Sequence, residues 1–259
     1  MNKTALITGA SSGLGIEFAI LFAADGYNLV LTARNEVKLK ELQHTLNSKY
    51  NTNITVFASD LSVENAANNL FNFTQEHNIQ IDVLVNNAGF GDLGDFALAD
   101  MARLNKMINL NITALVTLTH LYVNEMRKNG NGGRILNIGS IASFMPGPYM
   151  SVYYATKAFV LNFTQGVAQE LLNDNISLTV LCPGPTGTHF FENAHADKKS
   201  FFKSKNLAKP EKVAKCGYKA LMKGKMIAIP GIRIKIFAFL PRIMPRAIVT
   251  KIVKIIHTT

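Results

Sequence analysis

Thr4-Ala-Leu-Ile-Thr8-Gly9-Ala-Ser11-Ser12-Gly13-Leu14-Gly15 runs without a break into the apolar stretch Ile16-Glu-Phe-Ala-Ile-Leu-Phe-Ala-Ala24. The first five residues are a short apolar run bounded by glycine, the pattern of a buried strand. Gly9, Gly13 and Gly15 let the backbone turn tightly and approach a ligand, because no Cβ stands in the way. A helix that starts directly after them points its unpaired N–H groups at whatever the loop encloses. Strand, glycine loop and helix in this order predict a cradle for a phosphate group. An ordinary tight turn between strand and helix is the alternative at this point.

The same alternation continues outward. Strands are predicted at 28–32, 54–58, 82–86, 134–139, 177–181 and 226–230, with helices at 36–50, 63–77, 100–129, 153–172 and 211–223. Short apolar strands separated by helices give a parallel sheet covered on both faces. The predicted fold class is therefore α/β, a Rossmann-type doubly wound parallel sheet. It forms a single domain over 1–231, followed by a C-terminal extension over 232–259. In such sheets ligands bind beyond the C-terminal strand ends. Those ends carry the unusual polar residues: Arg34, Asp60, Asn86-Asn87-Ala88-Gly89, Ser140, and Pro183-Gly184-Pro185-Thr186-Gly187-Thr188.

With 48% apolar and 17% charged residues, the 259-residue chain can bury a substantial core and does not have a disordered composition. Cys182 and Cys216 form no C-x-x-C pair, which fits a reducing compartment. The start of the chain carries no charged leader and apolar core, so a cytoplasmic location is expected. No apolar run reaches the roughly 18–20 residues that span a bilayer. No metal ligand set is assigned.

Tyr153 and Lys157 stand four residues apart, one turn of a predicted helix, so both side chains lie on one face. A neighbouring ammonium favours the phenolate and is expected to lower the tyrosine pKa toward the range useful for acid–base chemistry. Ser140 ends a strand and reaches the same point with a hydroxyl. A tyrosine at a surface carries the same spacing, so the pair acquires meaning only from its surroundings. At the second strand end, Arg34 occupies the place where an acid would hold a ribose hydroxyl pair. A guanidinium there suits a 2′-phosphate, which favours NADP(H) over NAD(H). A solvated arginine opening the next helix is the alternative.

These motifs, in order and at these spacings, resemble the short-chain dehydrogenase/reductase family over about 4–231. They are Thr8-Gly-x-x-x-Gly-x-Gly15, Asp60, Asn86-Asn-Ala-Gly89, Asn111, Ser140, Tyr153-x-x-x-Lys157 and Pro183-Gly-x-x-x-Thr188. The resemblance implies a catalytic tetrad of Asn111, Ser140, Tyr153 and Lys157. In it Tyr153 exchanges a proton with the substrate oxygen and Ser140 hydrogen-bonds that oxygen. Lys157 would bind the nicotinamide ribose and lower the Tyr153 pKa, and Asn111 would anchor a water on a proton relay. For the cofactor it implies Gly9, Ser11, Ser12, Gly13, Leu14 and Gly15 at the phosphates, with Arg34 as the main charge. Asp60 and Leu61 would meet the adenine, and Asn87 the adenosine side. Pro183, Gly184, Thr186 and Thr188 would meet the nicotinamide end. Gly139 departs from the family's serine and is expected to enlarge the pocket floor.

A covering segment is expected over 189–209, bearing Phe190, Phe191, Phe201 and Phe202. With Met145, Tyr149 and Met150, Phe190 and Phe191 are the candidate walls of a substrate pocket. They favour a hydrophobic carbonyl or alcohol substrate (acyl, steroid-like or aromatic), although the rings would serve equally to pack the segment onto the core. The activity so implied is NADPH-dependent reduction of such a ketone or aldehyde. Alcohol oxidation with NAD(P) and a membrane-associated nucleotide-binding scaffold without turnover are the alternatives, and a homo-oligomer, dimer or tetramer, is expected.

Charge is distributed unevenly. From Lys198 onward there are 16 Lys/Arg against the one acid Glu211, a net +15, whereas the first 197 residues carry a net −5. A predicted last helix over 247–257 places Thr250, Lys251, Lys254 and His257 on one side, opposite Ile248, Val249, Ile252, Val253, Ile255 and Ile256. That face could dock on its own domain or a partner subunit, or lie on an anionic membrane surface. No motif for reading nucleic acid is visible, so no specific nucleic-acid partner is assigned.

Overall fold

The computed structural model describes residues 2–188, 190, 194 and 207–258. Its strands are β1 (Thr4–Thr8), β2 (Asn28–Ala33), β3 (Ile54–Ala58), β4 (Val83–Asn86), β5 (Gly133–Ile138), β6 (Ile176–Leu181) and β7 (Ile227–Ala228). All pair in parallel, in the order β3-β2-β1-β4-β5-β6-β7. The helices are α1 (Gly13–Ala24), α2 (Glu36–Lys49), α3 (Ala66–Glu76), α4 (Met101–Ile108), α5 (Leu115–Asn129) and α6 (Ser151–Glu170). After β6 come α7 (Pro210–Met222), α8 (Ile232–Phe239) and α9 (Arg246–Thr258).

Period-two alternation between two cores explains why β1 is apolar at Ala5, Leu6 and Ile7 in succession. Ala5 and Ile7 face a core built with Phe18, Phe22, Leu39 and Leu221 from α1, α2 and α7. Leu6 faces the other core, with Leu70, Leu118, Tyr122 and Ala168 from α3, α5 and α6. Each such side chain, fully buried, contributes roughly 1.5–3 kcal/mol relative to exposure. The strand order reverses direction between β1 and β4, which opens a crevice beyond their C-terminal ends. The predicted α/β doubly wound fold is the fold observed.

Three features differ from the sequence reading. The single helix expected at 100–129 is α4 and α5 joined by a π-helical turn, Asn109–Ala114. The wider turn seats Asn111, which accepts from the Phe90 N–H at 3.1 Å and donates to the Phe90 carbonyl at 2.9 Å. The last strand is two residues long, because Pro230 has no N–H to extend the ladder. In α9, His257 is 3% exposed and shares a buried stripe with Val249 and Val253, spaced i, i+4, i+8. It does not share a polar face with Lys251 and Lys254, and Ile248 and Ile252 lie toward solvent instead. Phe191, Phe201 and Phe202 lie outside the described residues.

Candidate active site

Tyr153 and Lys157 project from the first turns of α6 into the crevice, and both are buried. Lys157 Nζ donates to the Ile138 carbonyl at 2.8 Å and stands 5.9 Å from the centre of the Tyr153 ring. Ser140 precedes a short 3-10 helix, Ile141–Phe144, where its Oγ accepts from the Ala142 N–H at 3.1 Å. Ser143 Oγ donates to the Lys157 carbonyl at 2.7 Å and accepts from the Ser140 N–H at 3.2 Å. This serine ties the Ser140 loop to α6 and fixes the spacing of the three candidate groups. It was not singled out from the sequence; with Ser140 it forms a capping box in which serine stands where glutamate or glutamine is usual.

The electrostatics depart from expectation. Burial pushes the Tyr153 phenol up to about 12, with the Ser140 hydrogen bond pulling it down and the Cys182 thiol adding to the rise. Burial lowers Lys157 to about 8. Burial thus moves the phenol opposite to the predicted depression, while the Lys157 ammonium donates to a backbone carbonyl. At neutral pH this pair is a protonated phenol beside an ammonium that titrates slightly above neutrality.

Asn111 is buried and donates to Thr156 Oγ1 at 3.1 Å, behind Tyr153 and Lys157. Gly89 separates it from the lysine. A Cβ on Gly89 would lie 2.9 Å from Asn111 Oδ1 and 3.5 Å from Lys157 Nζ, so only glycine lets these groups converge.

A cavity of about 780 Å³ extends from this centre in both directions. One end is the glycine loop. Gly9 and Gly13 have φ of +65° and +53°, and a Cβ on Gly13 would meet Thr188 Cγ2 at 2.9 Å. The two glycine-bearing candidate segments are thus brought against each other. Ser12 places no side-chain cap on α1 and the helix's first turn carries no acid, so no side chain competes with an anion for its N-terminal amides, of which Gly15 N–H meets the Ser12 carbonyl at 3.2 Å. Asn87 Nδ2 donates to the carbonyls of Thr8 and Gly9 at 2.9 and 3.2 Å, bracing the loop. Arg34 lies exposed at the rim and makes no ion pair among the described residues. Asp60 accepts from Ser62 N and Oγ at 3.0 and 2.7 Å and shapes the turn beside Leu61. These residues, with Ser11, Leu14, Pro183, Gly184 and Thr186, line the cavity and fit a dinucleotide: a cradle opened by glycine at 9 and 13, an uncapped helix end and a cation at the rim.

Three predicted residues lie off the wall. Gly15 is buried behind the loop, where a Cβ would sit inside the shell of the Gly9 carbonyl oxygen. Asn111 is screened by Gly89. Tyr149, at φ +66°, uses its carbonyl to accept from the Gly94 N–H at 2.9 Å. Gly139 does not enlarge the floor either, since the space its Cβ would take is closed by Val180, Cys182 and Ser143.

The other end of the cavity is apolar. Met145, Met150 and Phe190 line it, with the Phe190 ring centre 5.2 Å from that of Tyr153. Phe191 lies outside the described residues. Further lining residues were missed: Tyr154, Ile234 and Phe237 of α8, Val253, Ile256 and His257 of α9, and, from the chain between β4 and the end of α4, Phe90, Asp100, Arg103 and Lys106. Helical periodicity shows that a terminal helix has an apolar stripe but not which surface that stripe covers.

A family model described as short chain dehydrogenase matches residues 3–199. Sulfoacetaldehyde reductase 2 of Chromohalobacter salexigens is 36% identical over 191 residues, 73% of this chain and 75% of that protein. A short-chain dehydrogenase from Sphingobium yanoikuyae, solved in complex with NADPH, superposes with a TM-score of 0.83 at 31% identity, covering 89% of this chain and 88% of the other. The bulky-bulky ketone specific alcohol dehydrogenase from Comamonas testosteroni gives a TM-score of 0.78 at 28% identity, covering 95% and 96%.

Proposed function

This chain belongs to the short-chain dehydrogenase/reductase family, and from that premise we propose that it reduces a ketone or aldehyde of a hydrophobic substrate, using NADPH. The observation that carries this reading is one cavity holding Tyr153, Ser140 and Lys157 at its middle. It has an anion cradle at one end and an apolar wall at the other. The neighbour named for NADPH supports the cofactor, and the one named for bulky ketones supports the substrate class.

Gly9, Ser11, Ser12, Gly13 and Leu14 hold the phosphates, Arg34 the 2′-phosphate, and Pro183, Gly184, Thr186 and Thr188 the nicotinamide end. Gly15 and Asn87 set the loop's shape, and Asp60 and Leu61 flank the adenine. When bound, NADPH supplies the hydride. Ser140 Oγ–H orients the substrate carbonyl oxygen. Tyr153, kept neutral by burial, transfers its proton to that oxygen as the carbonyl carbon becomes tetrahedral, leaving an alcohol and a phenolate. The Lys157 ammonium stabilises the phenolate, and Asn111 holds the Phe90 backbone beside it. The test is NADPH oxidation across acyl, steroid and small aromatic ketones, in which turnover of none, with either dinucleotide, would refute the assignment.

Arg34 decides cofactor choice in this reading. Arg34→Ala is expected to weaken NADPH binding about ten- to a hundredfold, the loss of one charge-assisted contact, and to leave NADH nearly unchanged. Equal losses for both would remove the arginine from that role.

A second reading concerns the surface of residues 232–258. Ile232, Ile236, Phe239, Ile243, Ile248 and Ile252 are all exposed, alongside Arg233, Lys235, Arg242, Arg246, Lys251 and Lys254, with no acid in the segment. Among the described residues no helix is long and apolar enough to cross a membrane. Isoleucines among cations fit a peripheral contact with anionic lipid. The full chain is expected to pellet with phosphatidylglycerol vesicles and not with phosphatidylcholine ones, and the pair Ile243→Glu and Ile252→Glu to abolish pelleting. Unchanged pelleting, or a variant that turns a dimer or tetramer into a monomer, assigns the face to a second copy of the chain.

A further inference from the structure

The C-terminal segment lines the apolar end of the cavity, and its attachment is specific. A Cβ on Gly184 would lie 2.6 Å from Ile234 Cδ1, so α8 packs directly on the Pro183-Gly184 backbone. At the far end, His257 Nδ1 is 2.6 Å from the Pro148 carbonyl and Nε2 is 3.0 Å from the Tyr154 hydroxyl. A carbonyl only accepts, so Nδ1 carries the proton and Nε2 accepts from Tyr154. The Tyr154 ring is itself fixed. It covers Gly147 so closely that a Cβ there would overlap it, and it meets the Tyr153 ring edge-on at 6.1 Å between centres. His257 thus joins the last turn of α9 to the residue next to the candidate proton donor.

We propose that His257 is a positioning residue for substrate recognition. By bridging Tyr154 and the Pro148 carbonyl it pins α9 as the outer wall of the substrate end, and so sets the bulk of the compound admitted. Val253 and Ile256 supply the apolar surface of that wall, and the imidazole satisfies the two polar groups that the docked helix would otherwise bury unpaired. Only the identity of the ligand as an apolar carbonyl compound rests on the preceding reading.

The experiment compares the full chain with His257→Leu and His257→Gln, the latter keeping a donor and an acceptor on one planar group. Amide hydrogen exchange over 246–258 reads the pin. Kinetics with NADPH over aryl alkyl ketones of increasing chain length read selectivity, and calorimetric binding of the same ketones to the NADP⁺-loaded protein reads it without turnover. In His257→Leu, exchange is expected to accelerate about tenfold. KM and Kd for the longest ketones should rise about tenfold while kcat changes by less than about twofold, with partial recovery in His257→Gln. Unaltered exchange in both variants refutes the pin. Faster exchange with the same chain-length preference refutes its part in selectivity. A wild-type protein that binds the ketones selectively without reducing them refutes the reductase assignment and leaves this one standing.

Discussion

Tyr153→Phe is expected to lower carbonyl reduction by about two to four orders of magnitude, the usual contribution of a positioned general acid. NADPH affinity should stay within about threefold of wild type. The loss should appear in kcat, because the ring still packs against Phe190 and Tyr154 while the only proton it could transfer is gone. The pH profile checks the same assignment. The phenol, raised to about 12, stays protonated across the working range, whereas Lys157 loses its charge as pH rises through about 8. Reduction should therefore be level below that value and decline above it. Lys157→Met should remove the inflection, and a wild-type rate that continues to climb through pH 9 would contradict the role given to the ammonium.

The second large effect is expected at Gly15. A Cβ there would overlap the Gly9 carbonyl oxygen and lie 2.8 Å from Gly9 C and 2.9 Å from Ala10 Cα. All three are backbone atoms of the loop, which Asn87 already braces. They cannot rotate aside as a side chain would, so relief requires moving the loop or α1. Gly15→Ala should cost at least about 3 kcal/mol, at the upper end of overpacking penalties. For a chain of this size that is a fall of roughly 6–12 °C in Tm. NADPH affinity should fall with it, because the displaced loop is the proposed phosphate cradle. Gly166→Ala is the control. It sits within α6 with nothing within 4 Å of the new methyl, so it should stabilise by about 0.5–1 kcal/mol. Similar melting shifts for the two variants would show that helix propensity, not close backbone approach, governs Gly15.

The strands and the glycine loop were legible because their causes are local. A strand buried on both faces is apolar along its middle, as Ala5–Ile7 and Val83–Val85 are, and positive φ at Gly9 and Gly13 admits few residues but glycine. The π-helical turn at Asn109–Ala114 was not legible. Its residues suit an ordinary helix, and the widening is stabilised by bonds from Asn111 to Phe90 and Thr156, up to 45 positions away. The Tyr153–Lys157 spacing correctly placed two groups on one face but gave the wrong direction for the phenol. A charge four residues away is visible in a sequence, whereas the depth at which a fold buries both groups is not.

The amino-acid order alone determined the parallel sheet, the crevice at its C-terminal edge and the residues gathered there, since each follows from apolar periodicity or from a backbone only glycine can adopt. Tertiary structure alone decided how the cavity ends. Ile234 meets Gly184 50 positions earlier in the chain, and His257 reaches Tyr154 103 positions earlier. Such long-range contacts depend on where two surfaces are carried by everything folded between them, and no local pattern encodes that.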